Sequence, residues 1–167
     1  MTSEEAKEHY QELAQAGEYA KALPYLEIIA NSGDPEAQAI LGVIYDEGSD
    51  PLANSKKDKT SQVPQDKEKS FYWYEKAAQA GNKTGQHGAG MYYYDGETIP
   101  RDYKKALFWL EKAAQQGVAP AQHIAATCYL FGNGTKKDKS KARHWFEKAA
   151  QQGFPPSQKV LDEFDEL

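Results

Sequence analysis

The side chains best suited to metal binding or nucleophilic chemistry in this 167-residue sequence are four histidines, His9, His87, His123 and His144, and one cysteine, Cys128. A catalytic centre needs several such groups to converge. None of the histidines forms a His-Glu-x-x-His pair, and there is no Cys-x-x-Cys, no phosphate loop ending Gly-Lys-Ser/Thr and no Gly-x-Ser-x-Gly elbow. Gly85, Gly88 and Gly90 are dense, but they fall in a helical pattern and follow no strand, so they do not make a dinucleotide loop. His87 and His123 stand 36 residues apart, at equivalent places of a repeat described below. Such a pair suits the polar wall of a groove, a contact to a partner's acidic group or carbonyl, or a metal, for which no third ligand is evident. Cys128 lies beside Tyr129 and reads as a buried, inert thiol. No catalytic, cofactor or metal residue is assigned.

Composition narrows the classes further. The chain carries 25 acidic and 20 basic residues, a formal net charge of −5. A mildly acidic chain repels nucleic acid and anionic lipid unless it holds a basic patch, and no patch with interleaved aromatics stands out. No stretch approaches the ~18 apolar residues of a membrane span. One cysteine allows no internal disulfide, which suits a reducing compartment. The first residues, Met1 to Glu5, are polar and acidic, without a basic and then apolar leader. The expectation is a cytoplasmic protein, or a secreted one if a leader has been removed.

The elements are set by repetition. Four gapless segments of 16 residues, 18–33, 66–81, 102–117 and 138–153, share one pattern, of which the first is a degenerate copy. Each opens on an acid (Glu18, Asp66, Asp102, Asp138), suited to free amides of a first helical turn. Each ends on a glycine (Gly33, Gly81, Gly117, Gly153), suited to a left-handed cap. In the third copy Ala106, Trp109, Leu110, Ala113 and Ala114 form one apolar stripe at helical spacing. Trp73, Trp109 and Trp145 recur within that stripe and are assigned to packing rather than to a binding strip.

A second helix precedes three of these, over 34–48, 82–96 and 118–132. Its copies share Gln38, Gln86 and Gln122, then Gly42, Gly90 and Ala126, then Tyr45, Tyr93 and Tyr129. A small residue at the middle site lets two helices approach closely. The period is 36 residues, stretched to 48 once by a polar segment within 49–62 that holds Lys56, Lys57 and Lys59. A helix pair of this size cannot bury its stripe alone and must stack on its neighbours. The predicted layout is one domain over 1–167. It has an N-terminal hairpin (1–33), three repeats (34–81, 82–117 and 118–153) and a terminal helix (154–167) whose Val160, Leu161 and Phe164 cover the final repeat.

Tyr129, Gly132-Asn133-Gly134, Asp138, Lys141-Ala142, Trp145 and Lys148-Ala149-Ala150 resemble the Sel-1-like repeat, a relative of the tetratricopeptide repeat. Gly90, Tyr93, Gly96, Ile99, Asp102, Lys105-Ala106, Trp109 and Lys112-Ala113-Ala114 repeat the match, which covers 34–153. Residues 6–33 are closer to a tetratricopeptide unit. Ala89, Ala125, Ala126 and Ser70 depart from the family pattern and are expected to thin the packing locally. The resemblance implies an all-α, right-handed α-α superhelix, a solenoid of antiparallel helix pairs with about nine helices.

It also implies work as a non-catalytic protein-binding adaptor, with no cofactor. In the tetratricopeptide frame the first helices of the repeats line the concave groove. That frame places Glu36, Ala39, Val43, Asp46 and Glu47 there, then Thr84, His87, Met91, Tyr94 and Asp95, then His123, Thr127, Leu130 and Phe131. Tyr94 and Phe131 are surplus to the repeat core and read as anchors for a protein or peptide segment. Nucleic acid and membrane are not expected partners; the chain is expected to be a monomer or weak oligomer. Alternatives are a bacterial immunity or regulatory protein that sequesters one effector, and a hydrolase of cell-wall or β-lactam substrates. Relatives of the latter kind carry paired cysteines, and this chain has one cysteine.

Overall fold

The structure is a computed structural model that describes residues 1–16, 18–48 and 63–164. The polar insertion 49–62 with its three lysines lies outside the described residues, as do Gly17 and residues 165–167. Nine helices and no strand occur among the described residues. They are α1 (Ser3–Gln15), α2 (Tyr19–Asn31), α3 (Pro35–Glu47), α4 (Lys67–Gln79), α5 (Lys83–Asp95), α6 (Tyr103–Gln115), α7 (Ala119–Phe131), α8 (Lys139–Gln151) and α9 (Pro155–Asp162). Contacts divide the chain into two compact units, Met1–Gly85 and Gln86–Leu167.

Helix starts follow the side chains that can reach a free amide. Asp66 accepts from the amide of Lys69, Asp102 from those of Lys104 and Lys105, and Asp138 from that of Lys141. Asp34 and Asn82 do the same for α3 and α5. Thr2 and Glu5 exchange bonds in a capping box on α1. Glu18 is a correction to the sequence reading: its side chain makes no cap bond and instead pairs with Lys21 at 2.7 Å. Its backbone, at φ −90° and ψ 53°, leaves the extended conformation that the aspartate caps share. Gly33, Gly81, Gly117 and Gly153 all have positive φ, so their places are closed to most other residues.

In the first unit α1 packs on α2, α2 on α3 and α3 on α4. Leu26, Ile29, Leu41, Ile44, Tyr45 and Trp73 form its core with small alanines. The small site on α3 has a steric cause: a Cβ on Gly42 would meet the Tyr74 ring at 2.5 Å. Ser70, expected to thin the packing, is fully buried and donates its hydroxyl to the Gly42 carbonyl at 2.9 Å. Its Cβ keeps the place of the usual alanine methyl, and the added hydroxyl is a satisfied buried donor.

In the second unit α6 packs on α7, α7 on α8 and α8 on α9. A Cβ on Gly90 would meet the Leu110 side chain at 2.7 Å, the same close approach as in the first unit. Trp73 and Trp145 are buried, whereas Trp109 is half-buried. At the end of the chain Phe164 is 1 % exposed and meets Phe146 edge-on at 6.1 Å. The Lys139 ammonium and the Arg143 guanidinium lie 5.6 and 4.5 Å from its ring centre.

Polar joints repeat with the helices. Tyr45 donates its hydroxyl to Glu27 at 2.7 Å, and Tyr129 donates to Glu111. The ammonium groups of Lys69 and Lys141 sit over those two rings. The tyrosine carbonyl also takes the amide of the aspartate that opens the next helix, as in Asp66 to Tyr45, Asp102 to Tyr93 and Asp138 to Tyr129.

A second joint runs through glutamine. Gln38 and Gln122 donate to the carbonyls of Ala30 and Ala114, each at 3.0 Å. Gln116 donates to Gln86, and Gln152 to Gln122, each at 2.8 Å. The residue at the place of Gln116 and Gln152 in the first repeat is Ala80, and the buried Oε1 of Gln38 has no partner. Ala80→Gln is therefore expected to raise stability by about 1 kcal/mol by supplying the missing donor. Urea denaturation checks it. An unchanged or lower midpoint would mean that Gln38 is not the acceptor this joint lacks.

Candidate partner-binding surface

The first helix of each repeat carries the residues expected to meet a partner, and the structure places them unequally. In the first unit Ala39 is 2 % exposed and belongs to the core, so its groove assignment is corrected. Glu36 is exposed, yet its carboxylate accepts from Asn82 at 2.9 Å. Asp46 is bound at 2.8 Å by Lys67. Val43 is half-buried, and Thr84 is exposed. Two of the three carboxylates of the acidic end expected from sequence, Glu36 and Asp46, thus hold α3 to its neighbours, whereas Glu47 is exposed.

In the second unit His87 and Met91 are half-buried. Burial pushes the His87 imidazole below its ordinary value of 6.5, which favours the neutral form. Tyr94 is half-buried and meets the Tyr103 ring edge-on at 5.3 Å. Burial raises the pKa of its hydroxyl. Tyr94 is therefore a packing residue on one side, which corrects its reading as surplus to the core.

His123 is drawn toward the end of the chain. Its Nδ1 lies 2.9 Å from the Ser157 hydroxyl, and its ring packs on Phe146 and Phe154 at 5.2 and 5.5 Å. Burial lowers its pKa as well. Ser157 is fully buried, so this serine–histidine contact holds α9 on α7 and offers no substrate access. Thr127 donates its hydroxyl to the His123 carbonyl one turn back, at 2.9 Å. Phe131, by contrast, is 58 % exposed. It is the large apolar side chain that the repeat leaves in water at the end of α7.

Other groups lie away from this face. Cys128 is fully buried, and burial, with the nearby Glu111 charge, pushes its thiol up to about 11. Among the described residues no three of His, Cys, Asp and Glu gather as a metal site. A shallow depression of about 420 Å³ is lined by Lys139, Ser140, Arg143, His144, Glu147 and Phe164. Sequence reasoning missed Tyr72 and Phe108, which are 49 % and 53 % exposed on α4 and α6. It also missed the basic and aromatic stripe Lys104–Phe108–Lys112. The signal was a spacing of four on the face opposite the buried alanines.

With this geometry in place, comparison with known proteins is direct. A family profile described as Sel1 repeat matches residues 35–82, 84–118 and 119–154, more than half of the chain. The chain belongs to the Sel1 repeat family. A crystallised Sel1 repeat protein from Oxalobacter formigenes is 30 % identical, with a TM-score of 0.73, over 98 % of this chain and 45 % of that one. A protective antigen of uropathogenic Escherichia coli with an SLR fold is 32 % identical, with a TM-score of 0.71, over 86 % of this chain and 28 % of that one. Cysteine-rich protein B of Helicobacter pylori is 25 % identical, with a TM-score of 0.54, over 61 % of this chain and 75 % of that one. This Sel1 repeat chain therefore spans less than half the length of the first two structures. A search of curated proteins gave no match. Sel1 repeat proteins are commonly non-catalytic scaffolds for protein–protein interaction.

The two lowered imidazoles predict a pH response. In the unfolded chain a histidine takes up a proton near 6.5, but burial holds His87 and His123 neutral to lower pH. As pH falls through that window the unfolded state binds more protons, so stability present above about 6.5 is lost. Urea midpoints should drop between about pH 7.5 and pH 5.5, and His87→Gln should flatten the drop. A wild-type midpoint that does not move over this range would refute the burial of neutral imidazoles.

Proposed function

We propose that this Sel1 repeat protein is a non-catalytic scaffold that binds a segment of another protein along the first helices of the second unit, α5 and α7. The observation that carries the reading is Phe131, a large apolar ring held in water by a well-packed helix. Exposed aromatics on rigid elements make interface anchors because they bury much area for little entropy. Met91, half-buried on α5, adds an adaptable apolar side chain, and His87 is neutral at physiological pH. A partner suited to this face is apolar where it meets Phe131 and uncharged where it meets His87.

Glu36, Val43, Asp46 and Thr84 belong to the other unit, where the two carboxylates already have donors. They are secondary candidates. A regulator that sequesters a single effector is the narrower form of the same proposal, and it requires one dominant partner.

Partners captured from the source organism by the wild-type chain, and lost by Phe131→Ala, identify the ligand. For that ligand Phe131→Ala together with Met91→Ala should weaken binding by more than about 2 kcal/mol by calorimetry, with the melting temperature little changed. Tyr94 is left intact because it packs on Tyr103. Equal affinity in the folded variant would remove this face as the binding surface.

A further inference from the structure

The face of α6 that points away from its buried alanines has a composition of its own. Lys104, Phe108 and Lys112 are spaced by four, which sets them in one row about 12 Å long. All three are exposed. The buried residues of α6 are Ala106, Leu107, Leu110, Ala113 and Ala114, so the Phe108 ring, 53 % exposed, is not needed for the core. The ring is held in place nonetheless. Trp109 meets it edge-on at 4.8 Å, and the Lys112 ammonium lies 5.0 Å from its centre.

Charge then selects the occupant. α6 contains one carboxylate, Glu111, and the Tyr129 hydroxyl draws it to the repeat joint. The exposed row therefore has two cations around an aromatic ring and no acid, in a chain of net charge −5. The equivalent rows in the neighbouring repeats are Glu68–Tyr72–Lys76 and Ser140–His144–Lys148, neither of which brackets its ring with two cations.

We propose that this row is a second docking surface, distinct from the α5 and α7 face. It takes an acidic helical segment of a partner protein that carries an apolar side chain between two carboxylates, each one turn away. Carboxylates at that spacing meet Lys104 and Lys112 while the apolar side chain covers Phe108. A nucleic acid is the poorer fit. Two cations neutralise little phosphate charge.

The probe is a synthetic helical peptide of about 15 residues with the pattern Glu-x-x-x-Leu-x-x-x-Glu; its control has lysine in place of both glutamates. Fluorescence anisotropy should show binding by the acidic peptide alone, weakened by added salt. Phe108→Ala, and separately Lys104→Glu with Lys112→Glu, should each lower affinity more than tenfold with unchanged melting temperature. Phe131→Ala should leave it unchanged, which separates this surface from the first. If Phe108→Ala lowers the melting temperature, the charge-reversal pair decides. The proposal fails if the acidic peptide does not bind at millimolar concentration, if the lysine control binds equally, or if the variants bind like the wild type. It also fails if the row prefers a single-stranded oligonucleotide, or if it mediates micromolar self-association that the variants abolish.

Discussion

Everything in this chain rests on how closely one helix can approach the next. On the first helix of two of the three repeats a glycine sits where a Tyr or Leu of the following helix comes down, Gly42 under Tyr74 and Gly90 under Leu110, and the third repeat has the small Ala126 at that place. Side chains of ordinary size at those places would hold the helices apart and open the stripe of alanines to water. A helix of 13 residues is too short to be stable alone. Its apolar stripe becomes stabilising only when the neighbour is near enough to cover it, so the close approach is the condition for the repeat to exist.

Polar groups then fix the register of that approach. The tyrosine–glutamate–lysine joint spans three consecutive helices in each unit, and the glutamine joint ties a helix end to the next helix start, as Gln38 to Ala30 and Gln122 to Ala114. Buried polar atoms are costly unless paired, so these joints reject helix pairs slid along one another. Their satisfaction also consumes side chains that a sequence reader would offer to a partner. Glu36, Asp46, Tyr94 and His123 are all engaged within the chain, which leaves aromatic exposure as the better guide to function.

The architecture was legible because it is local and repeated. Asp66, Asp102 and Asp138 at helix starts and glycines after helix ends mark elements that need no knowledge of distant contacts. Glu18 was misread for a local reason, a backbone that leaves the extended conformation of the aspartate caps. The candidate surface was less legible. A period tells which residues occupy equivalent places, but equivalent places need not have equivalent neighbours. His87 and His123 share a frame, yet only His123 has Ser157 and Phe154 beside it, because α9 follows its repeat.

Sequence alone determined that this is an all-α chain of stacked pairs, which helix ends are capped, and that small residues alternate with tyrosine on the first helices. These follow from spacing, since periodicity and capping are properties of neighbouring residues. Tertiary structure decided which polar side chains are already spent, and that Phe108 and Phe131 remain in water while Ala39 does not. Exposure is set by what the next helix covers, and that depends on the rotation of each helix about its own axis. A repeat pattern leaves that rotation open to within one face, and packing closes it.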